Sequence, residues 1–196
     1  MSSVPITLLY NRGMSSARRE WNWTREPVEW KDVGAGALAW TCAPDSDFWR
    51  ETHSGAVKHD GHGYVTDVSG DFAIQGSFVA RLGDRYDQLG LIAIADERHW
   101  VKTGVELDGE LLIGAVHTSE RSDWSTGPGS LPVDLRLERR DGTVEISARP
   151  PGGSWRMIRQ LYLDGPLAVG PYSCAPTGEG FEARVSGLAL EPARGH

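Results

Sequence analysis

The sequence lacks any long hydrophobic run. Its apolar stretch nearest the start, Val4 to Tyr10, is far shorter than the roughly 20 residues that a membrane-spanning helix needs. No basic segment precedes that stretch, so its composition is wrong for a signal peptide. We therefore expect no membrane partner, and a cytoplasmic location is the default expectation.

The chain also has fewer basic than acidic side chains. The chain carries 20 lysines and arginines against 27 aspartates and glutamates, which gives a formal net charge of −7. A field of that sign repels phosphate backbones and anionic lipids, so nucleic acid is not an expected partner. The charge pattern leaves the oligomeric state open.

Cysteine is scarce, because Cys42 and Cys174 are the only two in the chain. Neither has metal-ligand spacing around it. Without a secretion signal, two distant cysteines are more typical of buried thiols than of a disulfide. The pattern leaves open whether the two side chains lie close together.

Three histidines fall in the short stretch THSGAVKHDGHGY and raise the alternative of a metal site. They are His53, His59 and His62, with Asp60 among them. Interspersed glycines indicate turns, and no familiar zinc pattern is present. We predict a polar loop able to cover a ligand, and no metal. His117, at the end of a strand, is interpreted as a structural histidine.

The chain also lacks coenzyme motifs. There is no G-x-G-x-x-G segment after a strand, no phosphate-binding P-loop and no nucleophile elbow. The sequence therefore predicts no cofactor.

Short strand signals dominate the sequence instead. Its 24 glycines and 11 prolines are spread along the chain without a helical period or an internal repeat. Roughly a dozen alternating runs separated by turns predict an all-β, two-sheet antiparallel sandwich with little or no helix. We assign residues 19–192 to this sandwich and residues 1–18 to an N-terminal extension.

The most informative stretch is Tyr86 to Glu106, which predicts two adjacent antiparallel strands joined by a short charged loop. Because side chains alternate between faces, Val101 and Val105 point to the core. The opposite face of the second strand carries Trp100, Lys102, Gly104 and Glu106. An exposed tryptophan among charges is typical of a ligand-facing surface. The alternative is an ordinary surface ion pair between the lysine and the glutamate.

Two further clusters are present, the first in a predicted loop or loop–strand junction and the second in a predicted loop. Asp47, Trp49 and Arg50 combine a carboxylate, an aromatic ring and a guanidinium, which suits either a grip on a polar ring or a loop that anchors itself to the sandwich. In the second cluster, within Ser119 to Ser125, Asp123 suits a turn cap. Trp124 is too large an apolar surface to lack a partner, so it either packs or receives a ligand.

Arg159 stands out among the apolar residues of a late strand. A charge at an inward position is costly unless it is paired. We expect Arg159 to have a carboxylate partner or to line an open cleft.

The order of these motifs resembles a known family. The series is W-N-W, E-P, D-F-W-R, Y-D-Q-x-G-L, W-V-K-x-G-V-E, S-D-W-S and P-x-G-x-G-F, running from about Trp21 to Leu190. It resembles a widespread family of uncharacterised bacterial and fungal domains that includes the fungal proteins named for regulation of enolase. That family is placed in the concanavalin A-like lectin and glucanase superfamily. The resemblance implies a jelly-roll sandwich with a concave sheet, the face on which relatives in the superfamily hold sugars.

The resemblance also extends the candidate site to the start of the first strand. The matched polar and aromatic positions are Asp47, Trp49, Arg50, Tyr86, Asp87, Gln88, Trp100, Lys102, Glu106, Ser122, Asp123 and Trp124. All three motif clusters are therefore expected to form one ligand-binding surface.

The glucanases of the superfamily carry carboxylates close together on one strand, in a Glu-x-Asp-x-x-Glu pattern. This sequence has no such run, because the strand neighbour of Glu106 is Lys102 rather than an acid. We therefore favour a binding module for a saccharide or a similar polar small ligand. One alternative is a protein-interaction or regulatory domain without a small ligand. The other is a hydrolase-type enzyme on a small sugar, with Glu106 as general acid or base and Lys102 tuning it.

Overall fold

The computed structural model describes residues 19–193, and within them the chain forms strands and no helix. The predicted extension, residues 1–18, lies outside the described residues. No helix in the described part is long and apolar enough to cross a membrane. The strands, in chain order, are β1 (Asn22–Trp23), β2 (Trp30–Gly34), β3 (Ala37–Cys42), β4 (Phe48–Arg50), β5 (Val57–His59), β6 (His62–Val68), β7 (Phe72–Ala80), β8 (Gln88–Ile94), β9 (His99–Asp108), β10 (Glu110–Ser119), β11 (Arg121–Pro128), β12 (Val133–Arg140), β13 (Thr143–Arg149), β14 (Arg156–Tyr162), β15 (Leu167–Cys174) and β16 (Phe181–Pro192).

Fourteen of these strands form two seven-stranded antiparallel sheets. The front sheet has the order β1-β6-β15-β8-β9-β10-β11, and the back sheet has the order β14-β13-β12-β7-β16-β3-β2. The predicted two-sheet antiparallel sandwich is therefore confirmed. Long crossovers, such as the one that places β15 between β6 and β8, bring distant parts of the chain side by side.

The main core lies between the two sheets and follows the predicted alternation. From the front sheet, Leu89, Val101 and Val105 point inward, each with no exposed surface. From the back sheet, Leu135 and Ile146 meet them, also fully buried. Burying such side chains stabilises the fold by roughly 1.5–3 kcal/mol each. The polar residues between them on β8 and β9 are thereby forced onto the outer face of the front sheet.

The outer face of the front sheet is partly covered by a two-stranded hairpin, β4 paired with β5, here called the cover hairpin. Phe48 of this hairpin is fully buried in a second apolar core, together with Trp100, Val116 and Tyr172. The sequence predicts a loop or a loop–strand junction for the first segment of the hairpin and a polar loop for the second, whereas both segments form strands. The strands form because Phe48 gains a buried apolar partner surface from residues far away in the sequence.

The cluster within Ser119 to Ser125 is likewise not a loop. Glu120 makes the tight turn, with φ of 68°, and β11 then pairs with β10 along its full length. Trp124 lies beside Val116 in this pairing, on the outer face of the front sheet. The tryptophan thus stands on an edge strand.

Candidate functional site

A row of glycines crosses the outer face of the front sheet. Gly90, Gly104 and Gly114 are direct neighbours in the pairings of β8 with β9 and of β9 with β10. A Cβ atom at Gly104 would lie 2.1 Å from the carbonyl oxygen of Leu89, so the backbones approach too closely for a side chain. The sheet therefore has a stretch of bare backbone across three strands.

This bare stretch is the floor of a shallow depression, which we call the glycine trough. The side chains and glycines that line it include Gln88, Lys102, Gly104, Glu106, Leu112, Gly114, Trp124, Thr126 and Tyr172. Its enclosed part measures about 10 Å³, roughly the space that one water molecule needs. A ligand larger than water must therefore lie over the floor instead of being enclosed by it.

Lys102 is almost completely buried beside the glycine floor, with 2% of its side chain exposed. Its ammonium lies 3.0 Å from the Asp47 carboxylate, which reaches it from the segment before the cover hairpin. Burial acts to lower the pKa of Lys102, but Asp47 and the neighbouring Cys174 and Glu106 outweigh that effect and raise it. Lys102 therefore remains charged at neutral pH and is paired with Asp47, and not with Glu106 as in the alternative of an ordinary surface ion pair.

Glu106 is partly buried on the same strand, on the other side of the glycine floor. Burial raises the pKa of its carboxyl to about 7, with the Asp47 charge adding to the increase and Lys102 opposing it. Near neutral pH, Glu106 can therefore both donate and accept a proton in hydrogen bonds. This suits contact with hydroxyl groups.

The Glu106 carboxyl should make stability depend on pH. The folded pKa of about 7 is above its ordinary value of 4.5, so the folded state holds the proton more tightly. The resulting stabilisation is fully present below pH 4.5 and is lost as pH rises through about 7. As pH rises between these two limits, the free energy of unfolding of Glu106→Gln should increase relative to that of the wild type by on the order of 2–3 kcal/mol. Urea unfolding of both proteins at acidic and mildly alkaline pH measures this, and parallel pH profiles would contradict it.

Gln88 and Tyr172 form the polar wall at the buried end. The Tyr172 hydroxyl donates to Gln88 Oε1 at 3.3 Å, and Gln88 Nε2 donates to the Tyr86 carbonyl at 3.1 Å. Tyr172 was not among the predicted site residues. It lies on β15, where nearly every residue is buried. Apolar and polar residues therefore do not alternate along this strand, and its sequence does not indicate a ligand-facing side. Tyr86 itself holds the chain in a turn, with φ of 70°.

The cover hairpin is tied to the far side of the front sheet by hydrogen bonds. The Arg50 backbone N–H donates to Ser122 Oγ at 2.9 Å, and the Arg50 guanidinium donates to the Glu120 carbonyl at 3.1 Å. The Trp49 indole donates to the Thr52 carbonyl within the hairpin turn at 3.2 Å. Trp49 and Arg50 therefore anchor the hairpin and do not line the trough.

Trp100 is fully buried beneath the cover hairpin, so its interpretation as an exposed tryptophan is wrong. Its ring centre lies 6.1 Å from that of Phe48, edge to face. The alternation that put Trp100 on the outer face is correct, but the hairpin covers that part of the face. The exposed tryptophan of the site is Trp124, with 38% of its surface exposed.

Asp123 points to the opposite face of β11 from Trp124. Its carboxylate pairs with Arg159 of β14 at 3.3 Å. Of the two expectations for Arg159, a carboxylate partner or an open cleft, the structure shows the carboxylate partner. The pair links the two sheets at the edge of the sandwich, so Asp123 lies away from the glycine trough.

The histidine-rich stretch contributes packing and hydrogen bonds. The His62 Nε2 atom accepts the Ala43 N–H at 3.0 Å, so its Nδ1 donates to the Arg25 carbonyl at 2.8 Å. His59 packs edge to face against Phe48, and His53 lies in the hairpin turn. Among residues 19–193, no group of three or more potential metal ligands converges.

The two cysteines are buried free thiols, as predicted. Cys42 belongs to the main core, whereas Cys174 belongs to the second core beneath the cover hairpin. Burial raises the pKa of both thiols.

The chain has relatives along nearly its whole length. A family model described as "Protein of unknown function (DUF1349)" matches residues 23–193. Regulation of enolase protein 1 of Saccharomyces cerevisiae is 29% identical over 162 residues, which cover 80% of this chain and 82% of that protein. The crystal structure of a functionally unknown protein from S. cerevisiae has a TM-score of 0.84 at 28% identity, covering 89% of this chain and 97% of that one.

More distant structures share the fold alone. The GH43 BlXynB protein of Bacillus licheniformis has a TM-score of 0.71 at 14% identity, covering 88% of this chain and 37% of that one. A legume lectin-like domain from Entamoeba histolytica has a TM-score of 0.54 at 10% identity, covering 88% of this chain and 97% of that one. With the two antiparallel sheets, these likenesses confirm the concanavalin A-like jelly roll that the sequence motifs predict.

Proposed function

Because the chain belongs to the DUF1349 family, which is described only as of unknown function, its role must be inferred from its site, and we propose that the glycine trough binds a saccharide or a similar polar small ligand. One observation carries this proposal. The exposed Trp124 and the polar side chains of Gln88, Lys102 and Glu106 converge on a floor that has no side chains of its own.

The chemistry of this arrangement suits a sugar. A pyranose ring has an apolar C–H face that packs on an indole, and a rim of hydroxyls that need donors and acceptors. Trp124 supplies the apolar wall. Lys102 supplies an ammonium on the same side of the floor, two strands away, and Glu106 and Gln88 supply a carboxyl and an amide on the opposite side. The bare glycine floor lets the ring approach the sheet closely.

The fold is consistent with this ligand class. One structural neighbour is named as lectin-like, and another is a GH43 protein. These names describe those proteins, and their low identity to this chain transfers no residue roles. The concave shape of the trough also favours a small ligand over a flat contact with a partner protein.

Glycan-array screening followed by calorimetric titration tests the proposal. With the best-binding saccharide, Trp124→Ala should weaken binding by about tenfold or more, because the stacking surface is lost. Glu106→Gln, as a separate variant, should also weaken binding, because it removes a charged or donating carboxyl.

Trp155→Ala is the matched control for this titration. Trp155 is 36% exposed, close to Trp124 in exposure, but packs on Arg149 away from the trough. Its substitution should leave the affinity unchanged. Unaltered affinity in both Trp124→Ala and Glu106→Gln would refute the trough as the binding site.

The state of Glu106 favours a second candidate function, hydrolysis of a small sugar. A carboxyl with a pKa of about 7 suits a general acid at neutral pH, and the Asp47 charge is close enough to contribute to that shift. Release of reducing ends from the bound saccharide, abolished in Glu106→Gln, would support the enzyme. Binding without any release would leave the binding module.

Other expectations from the sequence belong to this proposal. The acidic net charge of −7 favours neither nucleic acid nor an anionic membrane as a partner. A cytoplasmic location stays a prediction, and the oligomeric state stays open.

A further inference from the structure

The side chains around the glycine trough are buried at one end and exposed at the other. Towards β15, Tyr172 on β15 and Gln88 on β8 are 2% and 3% exposed, and Lys102 on the middle strand β9 is 2% exposed. At the β11 side, Trp124 is 38% exposed and Thr126 is also exposed. The front sheet ends at β11, so nothing in the sheet lies beyond that side.

The buried end is closed by the segment that leads into the cover hairpin. Ser46 Oγ accepts the Ala175 N–H at 3.0 Å, which holds the segment against the end of β15. Phe48 then packs against Tyr172, with ring centres 6.3 Å apart. Between them, Asp47 reaches across to Lys102 at 3.0 Å. A chain lying along the trough therefore cannot continue past Tyr172.

The trough encloses little space. Its enclosed volume of about 10 Å³, taken over its whole length, has room for a group the size of water, such as a single hydroxyl. From Tyr172 on β15 to Thr126 on β11, the trough crosses four strand spacings, roughly 19 Å. The trough is thus long enough for a few sugar units but has only one open end.

The charges at the closed end indicate a neutral ligand. Lys102 is already neutralised by Asp47, so it offers hydrogen bonds without a free positive charge. Glu106, on the other side of the floor, gains negative charge as it ionises and would repel an acidic sugar. Hydroxyl groups satisfy both side chains without adding charge.

From this geometry we infer that the glycine trough recognises the end of a neutral glycan chain, with the terminal sugar at Lys102 and the following units towards Trp124, and not a stretch from the interior of a chain. This inference rests on the proposed saccharide function and adds the part of the saccharide that is bound. An interior stretch would need two open ends.

Calorimetry with end-modified oligosaccharides tests end recognition on the full chain. The probes are cello-, xylo- and malto-oligosaccharides of one to six sugar units. Each is used unmodified, reduced with borohydride at the reducing end, or O-methylated on the terminal non-reducing unit. One of the two modifications should weaken binding about tenfold or more, whereas the other should change it less than about twofold. Affinity should stop rising after the first few units.

The outcomes separate this inference from the proposal beneath it. Equal binding of both modified forms, with affinity rising to the longest chain, would overturn end recognition while leaving a saccharide site in place. Weaker binding by Trp124→Ala would then still locate the saccharide site in the trough. Absence of binding by every probe, together with a negative glycan array, would overturn the saccharide function itself.

Discussion

Asp47→Asn should destabilise the protein by about 3–5 kcal/mol, because it leaves the buried Lys102 ammonium without its countercharge. Lys102 is 2% exposed and its pair with Asp47 measures 3.0 Å. Asparagine keeps the size of aspartate and can still accept the Phe48 N–H, which Asp47 Oδ1 accepts at 2.8 Å. The loss should therefore report the charge, and urea unfolding measures it.

A double-mutant cycle isolates the pair. In a Lys102→Met background the unpaired charge is gone, so adding Asp47→Asn should cost less than about 1 kcal/mol. Glu182→Gln is the matched control, since its pair with Arg184 measures 2.7 Å but both side chains are largely exposed. It should change stability by less than about 0.5 kcal/mol. An equally small effect of Asp47→Asn would contradict the buried pair.

Gly104→Ala should cost about 3 kcal/mol, because the new methyl group has no space. Its Cβ would lie 2.1 Å from the Leu89 carbonyl oxygen and 3.2 Å from the Gly90 Cα atom, both of them backbone atoms of the neighbouring strand. Since those atoms belong to a paired strand in the centre of the sheet, relief requires moving the backbone. Thermal or urea unfolding measures the loss.

Gly127→Ala provides the comparison for the same substitution in a strand. Gly127 lies on β11, and a Cβ atom there would meet nothing within 4 Å. Its replacement should be neutral or slightly stabilising, because alanine loses less backbone entropy on folding. If Gly104→Ala were as well tolerated as Gly127→Ala, the close approach that forms the trough floor would be refuted.

The alternation of side chains made part of this site predictable. On β9 the pattern assigned Val101 and Val105 to the core and Lys102 and Glu106 to the other face, and the structure agrees. A two-residue period is a local property of the backbone, so it can be read without knowing the partner strands. The odd charge of Arg159 similarly predicted a carboxylate partner, which is Asp123.

What covers the outer face was not predictable in this way. The cover hairpin has strands of three residues, too short to show a period. Its stability comes from Phe48 meeting Trp100 and Tyr172, residues that are distant in the sequence. For the same reason the strand pattern predicts an exposed Trp100 and gives no indication that Tyr172 lines the trough. Both depend on tertiary packing, which a single strand pattern does not contain.

The glycine trough, with Trp124 beside it, is proposed to bind a saccharide. The eight tryptophans of the chain each carry an indole N–H that can give a separate NMR signal. Titration with the best-binding saccharide should shift the Trp124 indole signal, assigned by its absence in Trp124→Ala, and leave that of Trp155 in place. Shifts at Trp155 or at other tryptophans without one at Trp124 would contradict the account.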